Sequence, residues 1–150
     1  MTNTILVILA SCIASASVVW FFVRLYRGQC RLEANFQERF ATAKIRLVDK
    51  VAIFIAQELD GYSHFRGRGY LVLTDDELYF ERVLGNKLLP IPVASIKEVG
   101  ETRRSGGQGT VRPMLKVDFT DADGNADAIA WRVNDLPAWK EEITSAIGRK

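Results

Sequence analysis

Histidine and cysteine are scarce in this chain, and each scarcity removes a class of explanation. One histidine, His64, and two cysteines, Cys12 and Cys30, stand among 150 residues. That excludes a metal centre of ordinary His/Cys composition and leaves no disulfide framework, as befits a reducing compartment. Any serine or cysteine nucleophile would have to share His64, and no serine lies in a nucleophile motif. The glycines from Ser105 to Gly109 lack the lysine and serine of a P-loop. The residues therefore point to a non-enzyme that takes no metal and no cofactor.

Acid is missing from the start of the chain. Met1 to Arg31 holds three arginines and no carboxylate, a net +3, whereas the remainder sets 17 basic residues against all 18 acidic ones. The overall +2 is thus a property of the N-terminal segment. A nucleic-acid partner loses its electrostatic basis.

Charge of either sign is missing from Ile5 to Val23, 19 residues in a row. As a helix this run is about 28 Å long, close to a bilayer core. Trp20 and Tyr26 crowd its end, and Arg24, Arg27 and Arg31 follow. Aromatic rings favour the headgroup level, and basic residues mark the cytoplasmic side. The expectation is an external tail over 1–4 and a transmembrane helix over 5–23, with Trp20, Arg24, Tyr26, Arg27 and Arg31 at the membrane interface. The protein would then be single-pass in the inner (plasma) membrane, N-terminus outside, C-terminal domain cytoplasmic, with membrane lipids as partners of the anchor. A cleaved signal peptide fits less well, since the start is uncharged and apolar residues continue past Ala14-Ser15-Ala16. The lipobox-like Leu9-Ala10-Ser11-Cys12 leaves too short an apolar run ahead of it. Ala10 with Ala14, or Ser11 with Ser15, are small-residue pairs that would let two spans pair as a homodimer.

Residues 24–50 read as a basic juxtamembrane segment and helical connector. Leu32, Phe36, Phe40, Ala43 and Leu47 recur at helical spacing between Arg31 and Leu47. Such a stripe either lies on a membrane or partner, or packs on the following domain, and the second is the commoner use. From 51 to 150 the pattern is mainly β. Strands are expected at Val51–Glu58 (where a helical period fits as well), Gly67–Leu73, Leu78–Arg82, Lys87–Ile91, Ile96–Val99, Met114–Phe119 and Ala126–Arg132, spaced as in a β-sandwich or barrel. Turns are marked by Asp60-Gly61, Gly85-Asn86 and Asp123-Gly124-Asn125, and a long loop by Glu101 to Val111. A C-terminal helix, capped by Asn134 or Asp135 with Pro137 in its first turn, presents Leu136, Trp139, Ile143 and Ile147 and stops at Gly148.

The order of motifs from Val51 to Val99 carries a resemblance. An apolar strand, Val51 to Glu58, is followed by G-x-G-Y-L-x-L-T from Gly67 to Thr74. Then come Leu78-Tyr79-Phe80 and I-P-x-x-x-I-x-x-V from Ile91 to Val99. This resembles the first half of GRAM and pleckstrin-homology-like domains. Pro113 to Phe119, Ala130-Trp131 and the helix bearing Trp139 look like the remaining strands and capping helix, so the likeness covers about 100 of the 150 residues. Small membrane-anchored bacterial proteins of this type are similar. The resemblance implies a seven-strand sandwich or barrel capped by a C-terminal α-helix, with Leu73, Phe80, Ile91, Ile96 and Trp131 in its core.

It also implies where a ligand would bind. Lipid-binding members use basic residues on the early strands and the loop between them, and here that stretch is Gly61 to Gly69. His64, Arg66 and Arg68 share a face if it is extended, although lipid-binding members usually carry more lysine and arginine there. Arg103, Arg104 and Arg112 form a second candidate patch around the glycine loop. The expected function is binding of a membrane-associated protein partner; the alternative is an anionic-lipid headgroup sensor using Arg66 and Arg68.

Overall fold

The computed structural model describes residues 2–58, 67–84, 88–105 and 108–149, with side chains from residue 13 onward except at 105 and 108. Helix α1 (Thr2–Arg39) leads into seven strands: β1 (Ile45–Gln57), β2 (Gly67–Thr74), β3 (Glu77–Arg82), β4 (Leu88–Pro92), β5 (Ile96–Ser105), β6 (Gln108–Thr120) and β7 (Ala126–Arg132). Helix α2 (Leu136–Ile147) closes the chain. All seven expected strands are present. They form one antiparallel sheet in the order β4-β3-β2-β1-β7-β6-β5, and α2 packs against one face.

The transmembrane reading is corrected. Among the described residues no helix is long and apolar enough to cross a membrane, which overturns the span over 5–23 and the single-pass inner-membrane placement built on it. Helix α1 does not stop at Val23 but continues to Arg39. The side chains of Ala10, Ser11 and Cys12, on which the pairing and lipobox readings rest, lie outside the described residues. So do the Asp60-Gly61 and Gly85-Asn86 turns.

Two boundaries also move. Helical spacing extends to Leu47 in the sequence, but the helix ends at Arg39 and Ile45 already begins β1. Arg46 therefore projects from a strand. Its side chain, only 8% exposed, reaches Glu142 at 2.9 Å and Asp75 at 3.2 Å. Ser145 at 3.0 Å completes the set, tying α2 to the β2–β3 turn. The expected loop over Glu101–Val111 is instead mostly the far end of the β5–β6 hairpin, with Arg104 opposite Gly109 and Ser105 opposite Gln108. Glycine and serine there disguise a strand pair held by its partner.

The main core lies between the sheet and α2. Cross-strand partners supply it in register, Leu71 with Phe80, Leu78 with Ile91, Phe54 with Trp131, Val117 with Ile129. The rings of Phe54, Phe80 and Trp131 follow one another at 5.9 and 6.1 Å, each contact adding about 1 kcal/mol beyond burial. Trp139 and Ile143 of α2 complete it, and the five core residues expected from sequence are all buried. Helix α2 starts as its residues dictate: the Asp135 carboxylate accepts from Ala138 N at 3.1 Å, and Pro137 sits where no N–H is required.

β2 departs from simple alternation, for Gly69 through Thr74 are all buried. Leu71 and Leu73 enter the main core. Tyr70 and Val72, on the opposite face, are covered by α1: Leu32 packs with Tyr70 and Val83, and Phe40 with Val72 and Tyr79, while Phe36 borders both groups. The amphipathic stripe of residues 32–40 is thus domain-facing. At Gly28 the helix comes so close that a Cβ would lie 2.7 Å from the Val83 carbonyl oxygen.

Candidate binding site

The docked helix is fastened by polar contacts that flank its apolar stripe. Arg31 donates to the Val83 carbonyl at 3.3 Å, and Asn35 Nδ2 to Glu81 at 2.8 Å. The Tyr79 hydroxyl donates to the same buried carboxylate. Glu33 gathers Lys50, Tyr70 and Gln37 at 2.9, 2.8 and 3.3 Å. Those three donors, Lys50 foremost, hold its carboxyl down to about 2. Burial, then the bond to Glu33, pushes the Tyr70 phenol up to about 12. Burial likewise raises Tyr79, aided by its bond to Glu81. Lys50 lies over the rings of Phe36 and Tyr70, and Arg39 over Tyr79 at 4.5 Å. The sequence gives no sign that Glu33 and Lys50, 17 residues apart, meet.

The arginines singled out in sequence fall into separate places. His64 and Arg66 lie outside the described residues. Arg68 is exposed on β2, opposite Ile53 of β1. Arg132 of β7 lies on the other side of Ile53, so the pleat turns both arginines to the face that carries Tyr70. Nε of Arg132 is buried with no hydrogen-bond partner among the described residues. Arg132 went unnoticed in the sequence because only pairing of β1 with β7 brings it here. Arg103, Arg104 and Arg112 are exposed on the β5–β6 hairpin, where Val111 is also 95% exposed. Trp20, Arg24, Arg27 and Arg31 line one groove with Val83 and Leu84; Tyr26 is exposed and stands outside it.

A second groove, of about 800 Å³, lies between α2 and the β5–β6 pair. Pro113, Leu136 and Pro137 give it an apolar floor, and Lys140, Glu141, Thr144 and Ser145 form the α2 wall. Glu101 of β5 meets Lys140 across it at 3.5 Å. β5 ends the sheet, pairing with β6 alone among the described strands. Leu136 and Pro137 signal a helix start in sequence, but a groove made by joining them to Pro113 and Glu101 is a tertiary product.

Solved structures share this arrangement. A chain of "The 8S snRNP Assembly Intermediate" matches at TM-score 0.55 with 10% identity, covering 69% of this chain and 82% of that one. The "Vps36 N-terminal PH domain" matches at TM-score 0.52 with 17% identity, covering 72% and 81%. The fold is pleckstrin-homology-like. No family model and no curated protein matches the chain. In this chain α2 follows the last strand, and α1 lies on the outer face of β2 and β3. Among the described residues no three His, Cys, Asp or Glu side chains gather as metal ligands.

Proposed function

We propose that this chain is a non-catalytic protein-binding module that receives an extended segment along the free edge of β5. The observation that carries this is that β5, unpaired on its outer side among the described strands, contributes Glu101 to a groove walled by α2. An unpaired strand edge offers backbone N–H and C=O groups in register, and adjacent pockets select side chains. Pro113, Leu136 and Pro137 suit an apolar side chain of the incoming segment, while Glu101 and Lys140 offer one charge of each sign at the rim.

The test is selection of extended peptides on the full chain, followed by amide exchange with the best binder. Protection should appear along β5, and Thr144→Trp, which fills the groove from an exposed α2 position, should weaken binding at least tenfold. Peptides that leave β5 exchange unchanged would reject the reading.

The second reading is a headgroup sensor using Arg66 and Arg68, of which Arg68 stands on the outer face. It is favoured by one observation: Arg132, whose buried Nε has no hydrogen-bond partner among the described residues, stands across Ile53 from Arg68. Loss of binding to phosphorylated headgroups on Arg68→Glu, with the β5 groove unaffected, would select it.

A further inference from the structure

The arginine groove of α1 carries an inference independent of the β5 edge. Arg24, Arg27 and Arg31 are spaced three and four apart, which places them along one side of the helix. With Trp20, Val23, Gly28, Val83 and Leu84 they surround about 730 Å³, and no carboxylate is among the lining residues. Arg24 and Arg27 are exposed and form no ion pair among the described residues, Arg24 lying over the Trp20 ring at 5.3 Å. Arg31 is anchored to the Val83 carbonyl, and Gly28 lets the helix press against that same carbonyl. The charged wall is therefore fixed relative to the sheet.

Charge alone would suit any polyanion. What decides is the apolar surface on the same side of the helix: Trp20 lies in line with the arginines, flanked by Phe21 and Val23, and the three are 62, 51 and 42% exposed. No nucleic acid or free phosphate explains that much uncovered apolar surface, whereas a lipid interface takes apolar side chains below its headgroups and meets guanidinium groups at the phosphates. Trp20 stands where the two zones meet, the depth that indole favours. We propose that this face of α1 binds the surface of anionic phospholipid membranes, with Arg24 and Arg27 gripping headgroup phosphates and Trp20, flanked by Phe21 and Val23, entering the interface.

The experiment is flotation of the full chain with vesicles of phosphatidylcholine alone and with added phosphatidylglycerol, at low and physiological salt. Binding should require the anionic lipid and weaken with salt. Arg24→Gln with Arg27→Gln should lower partitioning about 30-fold, from roughly fivefold per basic residue. Arg24→Lys with Arg27→Lys keeps the charge and should retain most of the binding, which separates charge loss from misfolding. Equal flotation on neutral vesicles overturns the proposal. So do competition by millimolar inorganic phosphate, loss on Arg68→Glu in place of the α1 variants, and self-association of the chain with no vesicle uptake.

Discussion

Asn35 of α1 and Glu81 of β3 are joined by a 2.8 Å hydrogen bond, and the Tyr79 hydroxyl meets the same carboxylate at 2.7 Å. Helix and sheet thus share one buried anion. Removing it leaves two donors unpaired against an apolar surround, and hydrogen bonds to charged groups contribute about 1.5–3 kcal/mol each. Glu81→Ala should lower the unfolding free energy by about 3 kcal/mol and Glu81→Gln by less, read from urea denaturation. An unchanged midpoint in both variants would show that the helix is not held here.

Gly28 gives a steric prediction. A Cβ at 2.7 Å from a backbone carbonyl cannot be absorbed by a side-chain swing, so Gly28→Val should lift that turn of α1 off β3, at about 1–3 kcal/mol. Amide exchange should rise near Leu32 and Val83 while the α2 side of the core stays protected. Gly100, which has open space around its Cβ position, is the control: Gly100→Ala should change neither.

Stability should fall at both ends of the pH scale through one contact. Glu33 titrates near 2 in the folded state against an ordinary 4.5, so its contribution is complete above the unfolded value and is lost as pH drops from there toward 2. Tyr70 titrates near 12 against an ordinary 10; the folded state holds that proton more tightly, so stability declines as pH climbs from 10 through 12. Urea midpoints should show both slopes in the parent. Glu33→Gln should reduce the acid slope, and Tyr70→Phe the alkaline one, the remainder of which belongs to the buried Tyr79 phenol. Since Glu33 is half-exposed, added salt should shrink the acid effect.

Periodic patterns carried much of this architecture. Short apolar runs between turn signals placed six strands, and a capping Asn134 or Asp135 with Trp139 and Ile143 placed α2, because each is set by neighbours within a few residues; Val51–Glu58 fits helical and strand periods alike, and pairing with β2 and β7 makes it strand. Thr74 also behaves as its local chemistry predicts, accepting from Glu77 N at 3.0 Å. What the sequence misread was decided elsewhere. Ala43 to Leu47 keeps the helical stripe but becomes turn and strand, since β1 gains more by pairing with β2 from Ile45 onward. The Glu101–Val111 loop is ordered by its own hairpin partner. The charge-free start has the composition of a span, yet among the described residues no helix is long and apolar enough to cross a membrane, and this one runs on through three arginines to Arg39. Of the candidate site, the arginines were visible as residues but not as groupings: Arg24, Arg27 and Arg31 share a wall, Arg68 sits with Arg132, and the α2 groove joins residues from three distant segments.

Because α1 runs unbroken from the arginine wall to the Phe36 and Phe40 dock, the two surfaces are in helical phase with no swivel between them. Whatever grips the front of the helix therefore fixes the heading of the β5 edge as well as its location. One residue inserted after Cys30 would turn the two surfaces by about 100° and separate them by about 1.5 Å, while seven would return them to within about 20°. Azimuth, rather than reach, is the quantity this joint conserves.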